Sequence, residues 1–176
     1  NTDGGAVVGT QSAITVTVVN TPLTATINLN NKTYDGDTSV QYSSTNPHVV
    51  LNGLISGDDV TVVDEGSKAF EDKNVGAGKT VNAVGIILGG VDVGNYDFDG
   101  TGTGTATISA RPITVTAVTN SKTYDGTDSS DGMQLITNTG GIVTPPIAGS
   151  DVANFIQTYD TKNVGAGKTL TPSGVV

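Results

Sequence analysis

The chain has no cysteine, no tryptophan, one histidine, and only eight lysines and arginines among its 176 residues. Without Cys there is no disulfide, no thiolate nucleophile and no Cys-rich zinc or iron–sulfur site. A single His leaves little for imidazole catalysis. Aromatic residues make up 5%, too few to line a large stacking cleft. No run approaches the roughly 18 apolar residues that a membrane-spanning helix needs. Neither a start Met nor a signal peptide is visible, so the sequence reads as a mature fragment or an excised piece. Seventeen acidic residues, almost all Asp, outweigh the basic ones and give a net charge of −9. Such a surface repels nucleic acid and anionic membranes, keeps the chain soluble at high local concentration, and offers carboxylates to Ca²⁺.

What is abundant is Gly (24 residues), Thr and Val. This mixture disfavours helix and favours short strands joined by tight turns. Apolar residues and Thr alternate in residues 13–20, 23–29, 103–108 and 113–118, the period of strands with one buried face. Residues 60–64, 80–88 and 155–159 are further candidates, separated by Asp-Gly and Gly-Asp turn signals.

The chain also repeats itself. An alternating run followed by Lys-Thr-Tyr-Asp-Gly at residues 32–36 recurs at 122–126. Gly-Asp-Asp-Val at 57–60 recurs as Gly-Ser-Asp-Val at 149–152, and the eight residues 73–80 recur identically at 162–169. One repeat spans residues 23–112. A second spans 113–176 and stops at the counterpart of Ile87, without the last strands of the first. Residues 1–22 match those missing strands: Thr15, Thr17 and Pro22 fall on Thr105, Thr107 and Pro112. The expected fold is all-β, with tandem small β-sandwiches of Ig-like or Greek-key type. Their short, Pro-containing linkers would make them a semi-rigid rod.

Several motifs invite chemistry. Gly-Ala-Gly-Lys-Thr, with Gly76 and Gly78 in one copy and Gly165 and Gly167 in the other, suggests a phosphate loop. The required first Gly is replaced by Lys73 or Lys162, and a strand rather than a helix is expected to follow. The better reading is a Gly-rich turn between strands. In Lys-Thr-Tyr-Asp-Gly, the Asp (Asp35, Asp125) caps a turn, and the Gly (Gly36, Gly126) supplies positive φ. The Tyr (Tyr34, Tyr124) packs at the domain end with its hydroxyl partnered. Asp92, Asn95, Asp97 and Asp99 could place oxygens around Ca²⁺, although the closing Glu of a calcium loop is absent. The alternating Thr residues at 101, 103, 105 and 107 read as a polar strand face rather than an ice-binding array. His48 reads as a solvated loop residue, and the Asn-Lys-Thr sequon at 31–33 carries little weight. No acid–base pair, nucleophile or metal set points to an enzyme.

Taken together, Lys-Thr-Tyr-Asp-Gly, Ser-Gly-Asp-Asp-Val, Asp-Lys-Asn-Val-Gly-Ala-Gly-Lys-Thr-Val and Gly-Asn-Tyr make the chain resemble the YDG repeat of large bacterial surface and secreted adhesins of the filamentous-haemagglutinin type. Residues 23–108 carry every element. The second repeat lacks Gly-Asn-Tyr, and residues 1–22 match only closing strands. The resemblance implies all-β stalk domains at the bacterial cell surface, without cofactor or enzymatic activity. The leading expectation is a structural unit of an extracellular fibre or adhesin stalk whose partners are neighbouring copies of itself. In it the alternating Ile14, Val16 and Val18 complete the second repeat of a neighbouring unit, whether along one long chain or between separate subunits. The alternative is a surface module that binds glycans or Ca²⁺.

Overall fold

The high Thr, Val and Gly content produces strands almost throughout the computed structural model, which describes residues 14–44, 47–132, 134–138, 147–148 and 150–176. Residues 1–13 of the expected closing segment lie outside the described residues. The first repeat contains β1 (Thr21–Pro22), β2 (Thr24–Ile27), β3 (Leu29–Asn30), β4 (Lys32–Thr33), β5 (Gln41–Tyr42), β6 (Val49–Asn52), β7 (Thr61–Asp64), β8 (Ser67–Phe70), β9 (Gly76–Val84), β10 (Ile87–Gly89), β11 (Tyr96–Asp97) and β12 (Thr101–Ser109). The second contains β13 (Ile113–Thr116), β14 (Ser129–Ser130), β15 (Leu135–Asn138), β16 (Asn154–Tyr159) and β17 (Leu170–Val175). The one helical turn among the described residues is a 3₁₀ turn at Val93–Asn95. The protein is all-β. Its sheets are small and remain open rather than closing on themselves.

The last strand of the first repeat organises that repeat. β12 runs antiparallel to β9, with Thr101 opposite Val84 and Ile108 opposite Gly76. It runs parallel to β2 and β4 on its other side. β6 extends the sheet beyond β2 and β8 extends it beyond β9. Alternation selects the inward side chains: Ala25 and Ile27 from β2, Val81 and Ala83 from β9, Ala106 and Ile108 from β12. Val62 of β7 and Leu88 of β10 pack over Ala25, Ile27, Val49, Ala83 and Ile86, while Ala106 and Ile108 meet Phe70 and Val81. Gly104 lets β12 lie this close to β2, since a Cβ there would sit 2.4 Å from the Ile27 carbonyl oxygen.

The second repeat forms two smaller sheets, β13 with β15 and β16 between β14 and β17. Its described buried residues are Ala148 and Gln157. The Gly-rich segment expected as a turn differs between the copies. In the first repeat, Gly76 to Thr80 belong to β9, with a register irregularity opposite Ala106 and Ile108 and Gly78 at φ 58°. In the second, residues 162–169 form bends and no strand, and Gly167 has φ 70°. The turn reading is therefore corrected for the first copy: β12 supplies hydrogen-bond partners that draw the glycines into the sheet.

Candidate functional site

Each Lys-Thr-Tyr-Asp-Gly motif is built around its lysine. Lys32 points inward from β4 and is almost fully buried. Its Nζ lies 2.6 Å from Asp35 Oδ1, and donates to Asp37 Oδ1 at 3.0 Å, the Asp37 carbonyl at 3.0 Å and the Ser39 carbonyl at 2.8 Å. It also lies 5.6 Å from the Phe70 ring centroid. Burial opposes its charge, but the hydrogen bonds and charges of Asp35 and Asp37 outweigh burial and raise its pKa. Asp37 accepts from the Ser39 hydroxyl, from Lys32 and from the Ser39 amide, which hold its pKa at about 2. Gly36 takes φ 88° in this turn.

The second copy repeats the design with substitutions. Lys122 Nζ donates to Asp125 Oδ1 at 2.8 Å, and to the Thr127 carbonyl and hydroxyl at 2.9 Å each, with the Tyr159 ring at 5.8 Å in place of Phe70. The Lys122 bond and the Thr127 amide and hydroxyl lower Asp125 to about 2, and Gly126 takes φ 83°. The Tyr159 hydroxyl is buried without a partner among the described residues. Sequence reasoning assigned the Tyr, Asp and Gly of the motif and missed the lysine as donor hub. The signal was present: in both copies an Asp follows the Lys by three residues.

With the turn pinned by lysine, the ring of Tyr34 is half-buried against the cluster of Phe70, Val81, Ala106 and Ile108, at the side of the second repeat. Tyr34 donates from its hydroxyl to Asp151 Oδ2 at 2.7 Å, a residue of the other repeat. Lys73 Nζ donates to Asp151 Oδ1 at 3.1 Å and lies 5.9 Å from the Tyr34 ring centroid. One carboxylate thus bridges a tyrosine and a lysine from two motifs of the first repeat that recur in the second. Tyr34 and then Lys73 lower the Asp151 pKa, and Asp151 is the chief cause of the raised Lys73 pKa. A 280 Å³ pocket beside this contact is lined by Val75, Ala110, Arg111, Ile113 and Ala148 among others.

The remaining candidates are placed as follows. Gly-Lys-Thr lysines serve the sheet ends: Lys79 bonds Asp72 at 2.7 Å, and Lys168 bonds Asp160 at 3.1 Å and the Thr161 carbonyl at 2.8 Å. A strand follows Lys79, so the helix N-terminus of a phosphate loop is lacking there. Asp92 accepts from the Asp59 amide at 2.8 Å and Asp99 from the Thr101 amide at 2.9 Å; Asn95 ends the 3₁₀ turn and Asp97 lies in β11. No group of three or more His, Cys, Asp or Glu side chains able to hold a metal occurs among the described residues. Tyr96 of the Gly-Asn-Tyr element is buried, donates to Asp58 Oδ2 at 2.7 Å and accepts from the Ile55 amide at 3.0 Å. Burial and then Asp58 push its pKa up from the ordinary tyrosine value. His48 contacts Glu65 at 3.3 Å, and Asn31 Oδ1 accepts from the Thr107 amide at 2.8 Å. Ile14, Val16 and Val18 form no strand and are exposed.

Duplicated, lysine-pinned turns on an all-β frame define a tandem-repeat β protein. Its repeats match the YDG domain over residues 19–106 and again over 109–176, and the chain belongs to that family. Neither a curated protein nor a solved structure matches it.

Proposed function

We propose that the chain is a structural segment of an extracellular fibre or adhesin stalk at a bacterial surface. Its YDG repeats stand end to end as a semi-rigid rod, and each is closed into a sandwich by a strand of the β12 type. The observation that carries this reading concerns Val16 and Val18. They align with Ala106 and Ile108, which are 4% and 0% exposed in β12, yet they are themselves 77% and 92% exposed. The second repeat, in turn, has no described strand beside residues 162–169 where β12 lies beside β9. An apolar alternating segment without a sheet and a sheet without its closing strand fit each other by β-augmentation. A donated strand links one unit to the next head to tail, which generates filaments rather than closed dimers.

Sedimentation velocity with amide exchange tests this. The chain should form a concentration-dependent ladder of linear oligomers in which residues 14–20 become protected, and Val16→Asp with Val18→Asp should abolish the ladder. A monomer at every concentration, with residues 14–20 exchanging freely, would overturn the reading.

A further inference from the structure

The contact between the two repeats has two halves, and each half recurs in the other repeat without its complement among the described residues. The first half is the pair Tyr34 and Lys73, which grips Asp151 of the second repeat. Its counterparts in the second repeat are Tyr124, in the same Lys-Thr-Tyr-Asp-Gly motif, and Lys162, the first residue of the identical eight-residue segment. Tyr124 is 57% exposed, and Lys162 is exposed as well. Both line an open groove of about 600 Å³ that also includes Asn163, Val164 and Tyr159. The second half is Asp151, whose counterpart in the first repeat is Asp59 of Gly-Asp-Asp-Val. Asp59 is exposed. Its neighbour Asp58 is engaged by the Tyr96 hydroxyl, and its own backbone is held by Asp92, whose Oδ2 accepts from its amide and whose amide donates to its carbonyl. The turn is therefore fixed while the Asp59 carboxylate points to solvent.

We propose that Tyr124 and Lys162 form a docking site for the Asp59 carboxylate of another copy of this repeat, reproducing the contact that Tyr34 and Lys73 make with Asp151. The partner is defined by its chemistry: an acidic turn carrying one carboxylate that accepts from a phenol on one oxygen and from an ammonium on the other. The proposal rests on the end-to-end reading above and adds what sets the register. A donated apolar strand can slip by two residues without changing which side chains face inward. A carboxylate held by two directional donors on separate motifs admits one setting. Glycan binding in the groove is the competing use of the same tyrosine and lysine, and it would leave Asp59 uninvolved.

A zero-length carbodiimide cross-link between isotopically light and heavy copies of the full chain reads the site, with the intrachain Lys73–Asp151 cross-link as internal standard. A heavy–light cross-link between Lys162 and Asp59 is expected. Asp97→Asn, at an exposed β11 position, should leave its yield unchanged. Tyr124→Phe, which removes only the phenolic hydroxyl, should lower it by about threefold, as loss of one partly exposed charge-assisted hydrogen bond would. Absence of this cross-link while Lys73–Asp151 forms, or Lys162 joining other acidic residues equally, would overturn the proposal. Protection of residues 14–20 in the same samples separates the two ideas. Protected strands without the Lys162–Asp59 cross-link leave the fibre standing and this docking site refuted. The cross-link with unprotected strands establishes the docking site without strand donation.

Discussion

Residues 73–80 and 162–169 have the same sequence and different structures. In the first repeat, Gly76 to Thr80 are strand, hydrogen-bonded to β12 from Thr105 to Ile108. In the second, the counterpart segment is bent and forms no strand. The lysine at its end is paired in both, through Lys79 with Asp72 and Lys168 with Asp160. The local turn chemistry of the segment is therefore its own, while its strand conformation is conferred by a partner. Burial follows the same division. Phe70, Val81, Ala106 and Ile108 form a buried cluster where β12 is present, whereas Tyr159, at the position of Phe70, is left with a buried hydroxyl and no partner among the described residues. In this chain the second repeat holds its lysine-pinned turn without a described strand of the β12 type, and its described buried residues are Ala148 and Gln157 alone.

The largest break in this comparison should come from β12 itself. Ile108→Ala should destabilise the first repeat by about 3–4 kcal/mol, because a fully buried side chain is lost from a packed cluster. The same truncation at the aligned Val18, now exposed, should cost less than about 0.5 kcal/mol in the monomer. Urea unfolding of both variants compares them, and equal losses would refute the assignment of Val18 to a strand awaiting its sheet.

The lysine pins should differ less. The side chain of Lys32 is 2% exposed and that of Lys122 is 21% exposed. Lys32→Met should cost about 2 kcal/mol, through loss of the ion pairs and hydrogen bonds that its buried ammonium makes to half-exposed Asp35, exposed Asp37 and the Ser39 carbonyl, and Lys122→Met about half as much. Thermal melts with amide exchange as a repeat-specific readout check this order.

The smallest effect is one of pH, and it should be shared. Asp37 and Asp125 both titrate at about 2 in the folded chain, below the ordinary aspartate value near 3.9 in an unfolded one. A carboxyl with a lowered folded pKa contributes stability in full above its unfolded pKa and loses it as pH falls towards its folded pKa. Both turns should therefore loosen between about pH 5 and pH 2. Asp37→Asn should flatten this dependence in the first repeat alone and Asp125→Asn in the second alone, followed by exchange of the Ser39 and Thr127 amides.

Local patterning made part of this legible. Alternating Thr and apolar residues announce β2 and β12, and Asp-Gly pairs announce turns whose glycines take positive φ. The phosphate-loop resemblance of Gly-Lys-Thr dissolves because Lys79 lies within β9 and is paired with Asp72, seven residues before it. What was hidden depends on distance along the chain. The parallel pairing of β12 with β2 and β4 joins segments about 75 residues apart, and no local pattern encodes it. The Tyr34–Asp151 contact spans 117 positions. Lys32 was overlooked because a lysine is ordinarily exposed, and only its three-residue spacing to Asp35 hinted otherwise.

A strand of the β12 type should convert residues 162–169 from bends to sheet. Extending the chain after Val176 with a copy of residues 88–112 and following amide exchange at residues 165–169 reads this conversion. Exchange there should slow to match residues 76–80, while the amides of residues 122–127 change little. Fast exchange at residues 165–169 in a folded, extended chain would contradict it.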